Sequence, residues 1–196
     1  MEKDKIIIQT ILESAQKLLQ RFGFVKTTMS DIAKYAGKGK STLYHYFTSK
    51  DEIFNEVIKM EMDELFLQVK DAVDTKNSST DKLKAYILVK INNLKEKKNL
   101  YHFAIESDIN SVSLSKYMIL LRNRYDNKEI SLLKTILVKG VDDGVLVIKN
   151  NNIDLLSELL VSSIRGVEFD ILVNHKYKSL SNEINFLVNI LIKGLS

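Results

Sequence analysis

The chain has 196 residues, a net charge of +4 and a hydrophobic content of 45%, a balance typical of a soluble globular protein of one or two small domains. It contains no cysteine, which excludes disulfides, thiol nucleophiles and cysteine-based zinc sites. It also has no proline and only 7 glycines, and this scarcity of turn residues favours helices joined by short polar connections. The charged N-terminus is unlike a signal peptide and no apolar run approaches the roughly 20 residues that span a bilayer, so we expect a cytoplasmic protein without a membrane partner.

Basic charge is concentrated in the first quarter of the chain. Residues 1–50 carry nine Lys and Arg against four Asp and Glu, whereas residues 51–196 carry twenty against twenty-one. A basic segment on a near-neutral body indicates a polyanionic partner, although a solvated basic face would have the same composition.

The first elements in chain order are two helices. Apolar residues recur at helical spacing from Ile8 to Phe22, and we predict that this helix stops at Gly23. Thr28, with Asp31 three residues later, has the form of a capping box and opens a short second helix. That helix is expected to bury Ile32 on its inner side.

Two more helices follow a tight turn at residues 37–39. The third is predicted over about Lys40–Phe47, with Leu43 facing inward. Ser49 and Glu52 form another apparent capping box at the start of a long fourth helix, which runs to about Val73.

The remainder of the chain is also helical in pattern. After a polar loop at residues 74–81, helical periodicity recurs in five segments: 83–94, Tyr101–Ile109, Ser115–Asp142, Asp154–His175 and Ser181–Leu195. We therefore predict an all-α protein with a three-helix helix-turn-helix domain at residues 1–49 and a larger helical domain at residues 50–196.

Two short helices joined by a glycine turn have the layout of a helix-turn-helix. Such a motif places the N-terminal residues of its second helix in the major groove, and here those are Lys40, Ser41 and Thr42. Four flanking side chains have the reach and chemistry to contact phosphates: Tyr44, His45, Tyr46 and Lys50.

The residues of this region resemble the DNA-binding domain of the TetR family of bacterial transcriptional regulators. The resemblance lies in GFVKTTMSDIAKYAG at residues 23–37 and KSTLYHYFTSKDEIF at residues 40–54, and it extends over about residues 6–58. Residues 59–196 are similar to the family in length and helical character. The resemblance implies a homodimer that binds a palindromic double-stranded operator and a small organic effector.

Carried over by position, the resemblance implies base contacts from Lys40 and Ser41, and a weaker candidate in Ser30. It implies contacts on or near the DNA backbone from six side chains: Thr28, Thr42, Tyr44, His45, Tyr46 and Lys50. Where the family usually has Val-Ser-Lys-Gly, this chain has Lys38-Gly39-Lys40-Ser41. Lys38 adds attraction to the backbone, and Gly39 serves as an N-cap without a side chain.

Two catalytic or metal-binding patterns are weak. Residues 37–42 resemble the end of a phosphate-binding loop, but Lys34 occupies the position of its first glycine and a helix replaces the required strand. His102 and Glu106 lie one helical turn apart, yet two ligands without a third make a poor metal site. The sequence thus indicates no enzyme, no metal and no cofactor.

The last two helices have more apolar surface than a helix covered on one side needs. Paired with their copies they would form a four-helix bundle, an interface that the resemblance also implies. The alternative is that both are central core helices. The predicted dimer residues are Leu156, Leu160, Ser163, Val167, Ile184, Leu187, Val188 and Leu191.

Aromatic side chains between the fourth helix and the end of the chain suggest an effector pocket, because apolar pockets with a few polar groups suit small organic ligands. For any single residue, a core or surface position is the competing interpretation. The predicted pocket residues are Tyr86, Tyr101, His102, Phe103, Tyr117, Met118, Tyr125 and Phe169.

The predicted mechanism is a population shift: the effector favours a dimer whose recognition helices are wrongly spaced for DNA, with the fourth helix as the lever. A protein-interaction module derived from a regulator is the main alternative, and an enzyme is remote.

Overall fold

A computed structural model of the protein describes residues 2–96, 112–148, 152–172 and 180–194. Every regular element within these ranges is helical, which confirms the all-α prediction. In chain order the helices are α1 (Glu2–Lys26), α2 (Met29–Tyr35), α3 (Lys40–Tyr46), α4 (Lys50–Asp74), α5 (Ser79–Glu96), α6 (Val112–Asp142), α7 (Ile153–Leu172) and α8 (Leu180–Gly194). Over the same ranges no helix is long and apolar enough to cross a membrane.

The described residues form two compact units. The first holds residues 2–62 and 112–121, and the second holds residues 63–96, 122–148, 152–172 and 180–194. Helix α4 therefore begins in the first unit and ends in the second. The domain boundary predicted between residues 49 and 50 stays a prediction.

In the first unit, α1 packs against α2, and α2 packs against α3. The apolar stripe of α1 and the inner faces of α2, α3 and α4 make one core because their apolar residues recur at helical spacing. The fully buried side chains include Ile11, Leu19, Ile32, Leu43, Ile53 and Phe54. Glu61 is also buried, and its carboxylate accepts hydrogen bonds from the amides of Gln16 (2.8 Å) and Gln20 (2.6 Å), which tie α1 to α4.

Gly23 ends the long first stretch of helical backbone within α1, as predicted. Its φ of 76° and ψ of 171° are not helical, and a positive φ favours glycine. A short second helical stretch follows this kink and ends at Lys26.

The two predicted capping boxes have different outcomes. At Thr28 the box is complete: the hydroxyl accepts the Asp31 N–H, and the Asp31 carboxylate accepts the Thr28 N–H at 3.0 Å. At Ser49 only one half forms. The Ser49 hydroxyl accepts the Glu52 N–H (3.1 Å), whereas the Glu52 carboxylate accepts from the N–H (2.7 Å) and hydroxyl of Thr48. The reciprocal bond predicted at Ser49 was wrong because Thr48 offers that carboxylate two donors.

In the second unit, α5 packs against both α7 and α8. A turn after α6 folds Leu146 back onto Gly140, whose carbonyl accepts the N–H groups of Val145 and Leu146, each at 2.9 Å. A side chain at Gly140 would meet Leu146 Cδ1 at 2.5 Å, so this close approach requires glycine.

Candidate nucleic-acid interface

Helix α3 presents one polar face to solvent and one apolar face to the core. Lys40, Ser41 and His45 are exposed, and Tyr44 is 54% exposed. On the opposite side Leu43 is fully buried. The helical period of α3 therefore places the predicted base-contacting residues on the accessible face.

The turn into α3 depends on two glycines. Gly37 has a φ of 63°, a left-handed conformation, and Gly39 is the N-cap of α3 without a side-chain hydrogen bond. Because Gly39 has no side chain, the backbone at the start of α3 is open to solvent beside the exposed Lys40. Lys38 is half-buried in the same turn.

Thr28 and Asp31 hold the N-terminus of α2. The Thr28 hydroxyl donates to the Asp31 carboxylate at 2.6 Å, and the bonds from Thr28 lower the pKa of Asp31. The Thr28 side chain is exposed but its hydroxyl proton is used within the chain. Ser30, in the first turn of α2, is half-buried, as is Thr42 in α3.

Tyr46 is bonded to the first helix. Its hydroxyl donates to the carboxylate of Asp4 at 2.8 Å, and this bond raises the pKa of the phenol. The ring lies edge-on to His45, with centroids 4.9 Å apart. The phosphate contact of Tyr46 stays a prediction. The bond between Tyr46 and Asp4 was not predicted from the sequence.

Lys50 joins the beginning of α4 to the end of α1. Its Nζ donates to the carbonyls of Phe24 (2.7 Å) and Thr27 (2.9 Å) and lies 4.0 Å from the centre of the Phe24 ring. Burial lowers the pKa of Lys50. These two bonds use two of the three donors of the ammonium. The phosphate contact of Lys50 stays a prediction.

The structure describes the side chains of only three predicted effector-pocket residues, which are Tyr86, Tyr125 and Phe169. Tyr101, His102 and Phe103, together with Glu106, lie outside the described residues, and nothing is described of the Tyr117 and Met118 side chains on α6. Tyr86 and Tyr125 are buried, whereas Phe169 is 42% exposed. The role of these residues in ligand binding stays a prediction.

A cavity that none of the predicted effector-pocket residues lines lies between α5, α7 and α8 of the second unit. It has a volume of about 140 Å³ and is lined by Ile87, Ile91, Ser163, Ile164, Val167, Ile184, Leu187, Val188 and Leu191. Six of these nine residues were predicted to face a second copy: Ser163, Val167, Ile184, Leu187, Val188 and Leu191.

The predicted dimer residues differ in exposure. Ile184 and Val188 are each 1% exposed, so their side chains pack within their own unit, where α8 meets α5. Leu156, Leu160, Val167 and Leu191 are half-buried, while Ser163 is exposed.

An exposed apolar face remains on α7 and α8, formed by Leu155, Leu159, Phe169, Phe186, Leu187 and Ile190. Leu155 and Leu159, like Phe186 and Ile190, are four residues apart and so lie on the same side of a helix. This spacing is the sequence pattern from which the face could have been predicted.

A buried ionic cluster joins α5, α6 and α7. Lys90 Nζ lies 2.6 Å from a Glu129 carboxylate oxygen and 3.1 Å from a Glu168 carboxylate oxygen, and Tyr86 donates to Glu129 at 2.6 Å. Burial opposes the charge of Lys90, but the carboxylates of Glu168 and Glu129 hold its pKa well above the usual value. Burial raises the pKa of Glu168 against the attraction of Lys90.

Among the described residues, no group of three or more His, Asp or Glu side chains is positioned to hold a metal ion.

Known proteins resemble this chain most strongly over the helix-turn-helix. Residues 11–57 match the family model for bacterial regulatory proteins of the tetR family. YhgD of Bacillus subtilis, an uncharacterised helix-turn-helix regulator, is 38% identical over 64 residues, which cover 33% of this chain and only 34% of YhgD. SAB2452 of Staphylococcus aureus, also a helix-turn-helix regulator, is 29% identical over 97% of this chain and 95% of its own length.

A solved structure extends the likeness to the whole fold. FadR of Bacillus subtilis in complex with stearoyl-CoA has a TM-score of 0.70 at 20% identity, over 96% of this chain and 99% of that one. An exposed recognition helix held by α1 and α2 defines a helix-turn-helix DNA-binding domain. Over residues 11–57 this domain is similar to that of bacterial regulatory proteins of the tetR family.

Proposed function

We propose that this protein is a cytoplasmic transcriptional regulator that binds a palindromic operator as a homodimer and releases it when a small organic effector binds. The observation that carries the proposal is the exposed polar face of α3, where Lys40, Ser41 and Tyr44 stand outward while Leu43 anchors the helix. Donors at the N-terminal end of such a helix read base edges in the major groove.

Positive charge supports this assignment. The first 50 residues carry a net charge of +5, which suits attraction to phosphates. Lys50 is the first residue of α4 and Tyr46 is the last residue of α3, and we expect both to contact the DNA backbone.

The exposed apolar face of α7 and α8 supports a homodimer. Phe186 is 65% exposed and Leu155 is 55% exposed, and exposed apolar side chains clustered on the faces of helices are typical of an interaction site. A two-fold dimer places two recognition helices about one DNA turn apart, roughly 34 Å, and so reads an inverted repeat.

Helix α4 supports the coupling of effector and DNA. It is continuous from Lys50, next to the recognition helix in sequence, to Asp74 in the second unit. We propose that the effector shifts the population of dimers through this helix, with a coupling of about 1–3 kcal/mol. Stearoyl-CoA is the first probe to test, because FadR was solved with it.

Selection from a pool of random DNA duplexes tests the proposal. The full-length protein should enrich an inverted repeat whose half-sites are centred about 10–10.5 base pairs, or a multiple of that, apart. Enrichment of a single unrepeated half-site would contradict the dimeric mode, and no enrichment at low salt would contradict DNA recognition altogether.

A further inference from the structure

The cavity between α5, α7 and α8 has no role in the DNA contacts proposed above. Eight of its nine lining residues are Ile, Leu or Val, and the ninth, Ser163, contributes one hydroxyl. A buried water needs two to four polar partners, and one hydroxyl does not supply them. The chemistry of the walls therefore favours an uncharged hydrocarbon group.

The volume limits the size of that group. The cavity measures about 140 Å³. An apolar protein cavity of about 150 Å³ stays dry and binds benzene, so this one has room for a single ring or a short alkyl segment.

The walls and the mouth of the cavity differ in exposure. Ile91, Ile184 and Val188 are each 1% exposed and form a buried floor. Leu187 is 47% exposed and Ser163 is also exposed, so the cavity reaches the surface beside these two residues. Leu187 belongs to the exposed apolar face, so the mouth opens on the surface proposed for a second copy of the chain.

We propose that this cavity binds a small uncharged hydrocarbon group and that the second protomer closes its mouth. The closure rests on the proposed homodimer, whereas the binding does not. The mechanism links two equilibria: a molecule held better by the closed cavity strengthens self-association, and self-association strengthens its binding by the same factor.

Fluorobenzene is a probe of matching size, and its binding to the full chain can be followed by ¹⁹F NMR with unlabelled benzene as competitor. We expect saturable binding that benzene displaces. Val167→Phe, which adds a ring inside the cavity, should weaken fluorobenzene binding by about ten-fold or more. Val138→Phe is the matched control, because Val138 is an exposed residue of α6 outside the lining.

A second cavity-filling variant distinguishes a filled cavity from a misfolded protein. If Val167→Phe lowers the thermal unfolding midpoint of the protein, Leu191→Phe at a half-buried lining position repeats the measurement. Absence of displaceable binding to the wild type, or undiminished binding to a folded cavity-filling variant, would overturn the assignment of a ligand site.

Closure by the second protomer is measured separately. Fluorobenzene should bind more weakly to the Leu159→Glu variant, whose charge lies on the exposed apolar face away from the lining. Equal affinity in a variant shown to be monomeric would overturn the closure. Operator binding is scored in its own assay, so failure of this site and failure of the DNA-binding proposal are distinguishable.

Discussion

Three polar side chains predicted to reach the DNA backbone already bond within their own chain. Thr28 caps α2, Tyr46 donates to Asp4, and Lys50 bridges two carbonyls of the preceding turn. Each bond fixes the orientation of its side chain and so reduces the conformational entropy that the side chain would lose on binding DNA. The residues proposed to contact the DNA backbone are therefore also residues that hold the helix-turn-helix together.

The capping box at Thr28 sets the stability of α2. We expect Thr28→Ala to reduce the free energy of unfolding by about 1 kcal/mol, because the first N–H groups of α2 lose their acceptor. Urea denaturation followed by circular dichroism measures the change. Thr135→Ala is the control: Thr135 is exposed in the middle of α6, where alanine is the better helix former. Equal stability of Thr28→Ala and the wild type would contradict the role assigned to the cap.

Asp4 places a negative charge beside the recognition helix. Asp4→Asn keeps an acceptor for the Tyr46 hydroxyl but removes the charge, so we predict tighter DNA binding at low salt and a smaller gain as salt is raised. Fluorescence anisotropy at two salt concentrations measures it, with exposed Glu13→Gln on the same helix as the control. Weaker binding of Asp4→Asn would show instead that the carboxylate itself is needed to orient Tyr46.

Residues near in sequence were predictable and those far apart were not. The Thr28–Asp31 box is a three-residue pattern, and its geometry follows from the start of any helix. Tyr46 and Asp4 are 42 residues apart, so their bond depends on how α1 packs in the unit. The bonds of Lys50 to two carbonyls, 26 and 23 residues away, were not predicted, because a backbone carbonyl has no side-chain signature in a sequence.

At the scale of elements, the ionic cluster joins three helices of the second unit. Lys90 on α5 faces Glu129 on α6 and Glu168 on α7, and its side chain is only 6% exposed. A buried charge loses its hydration, so the two carboxylates depend on the counter-charge of Lys90. Charge periodicity alone does not predict such a cluster, because the three residues meet only after the helices pack.

Removing the positive charge of Lys90 should greatly reduce the stability of the protein. Lys90→Met leaves two carboxylates in a buried site without a counter-charge, and we expect a loss of about 3–5 kcal/mol in the free energy of unfolding. Chemical denaturation at pH 7 measures it against Lys84→Met, a half-buried position on the same helix. A loss no larger than that of Lys84→Met would contradict the cluster.

Glu168 should make the stability of the unit depend on pH. Its pKa in the folded protein is raised above the value of 4.5 for an ordinary glutamate, so its ionised form reduces stability. This cost is absent below pH 4.5 and develops as the pH rises through the raised pKa. Glu168→Gln should therefore raise the melting temperature relative to the wild type at pH 7 but not at pH 4, while exposed Glu158→Gln shows no such difference. A gain from Glu168→Gln that is the same at both pH values would contradict this origin.

For the molecule as a whole, the proposed homodimer would connect DNA binding with ligand binding in the cavity. The pattern of α7 and α8 predicted more apolar surface than one side of a helix needs, and the structure divides that surface into cavity lining and exposed apolar face. The sequence alone did not predict this division, because helical periodicity gives the number of apolar faces but not which neighbour covers each one.

A charge on the exposed apolar face should break the dimer. Leu159 is 53% exposed, so Leu159→Glu should leave the protomer folded. In the dimer, each protomer would then bury an unpaired carboxylate at the interface. We expect self-association to weaken by about ten-fold or more in sedimentation velocity. Val138→Glu, at an exposed position on α6, should associate like the wild type. Unchanged association of Leu159→Glu would place the dimer interface elsewhere.

We propose that α3 recognises the DNA sequence through Lys40. Fluorescence anisotropy with the selected duplex and a scrambled duplex tests it most directly, comparing the wild type with Lys40→Ala and with Lys76→Ala, an exposed lysine in the loop before α5. The wild type should prefer the selected duplex, Lys40→Ala should lose about 1–3 kcal/mol of that preference, and Lys76→Ala should retain it. Equal binding of both duplexes by the wild type, or a full preference in Lys40→Ala, would contradict recognition through α3.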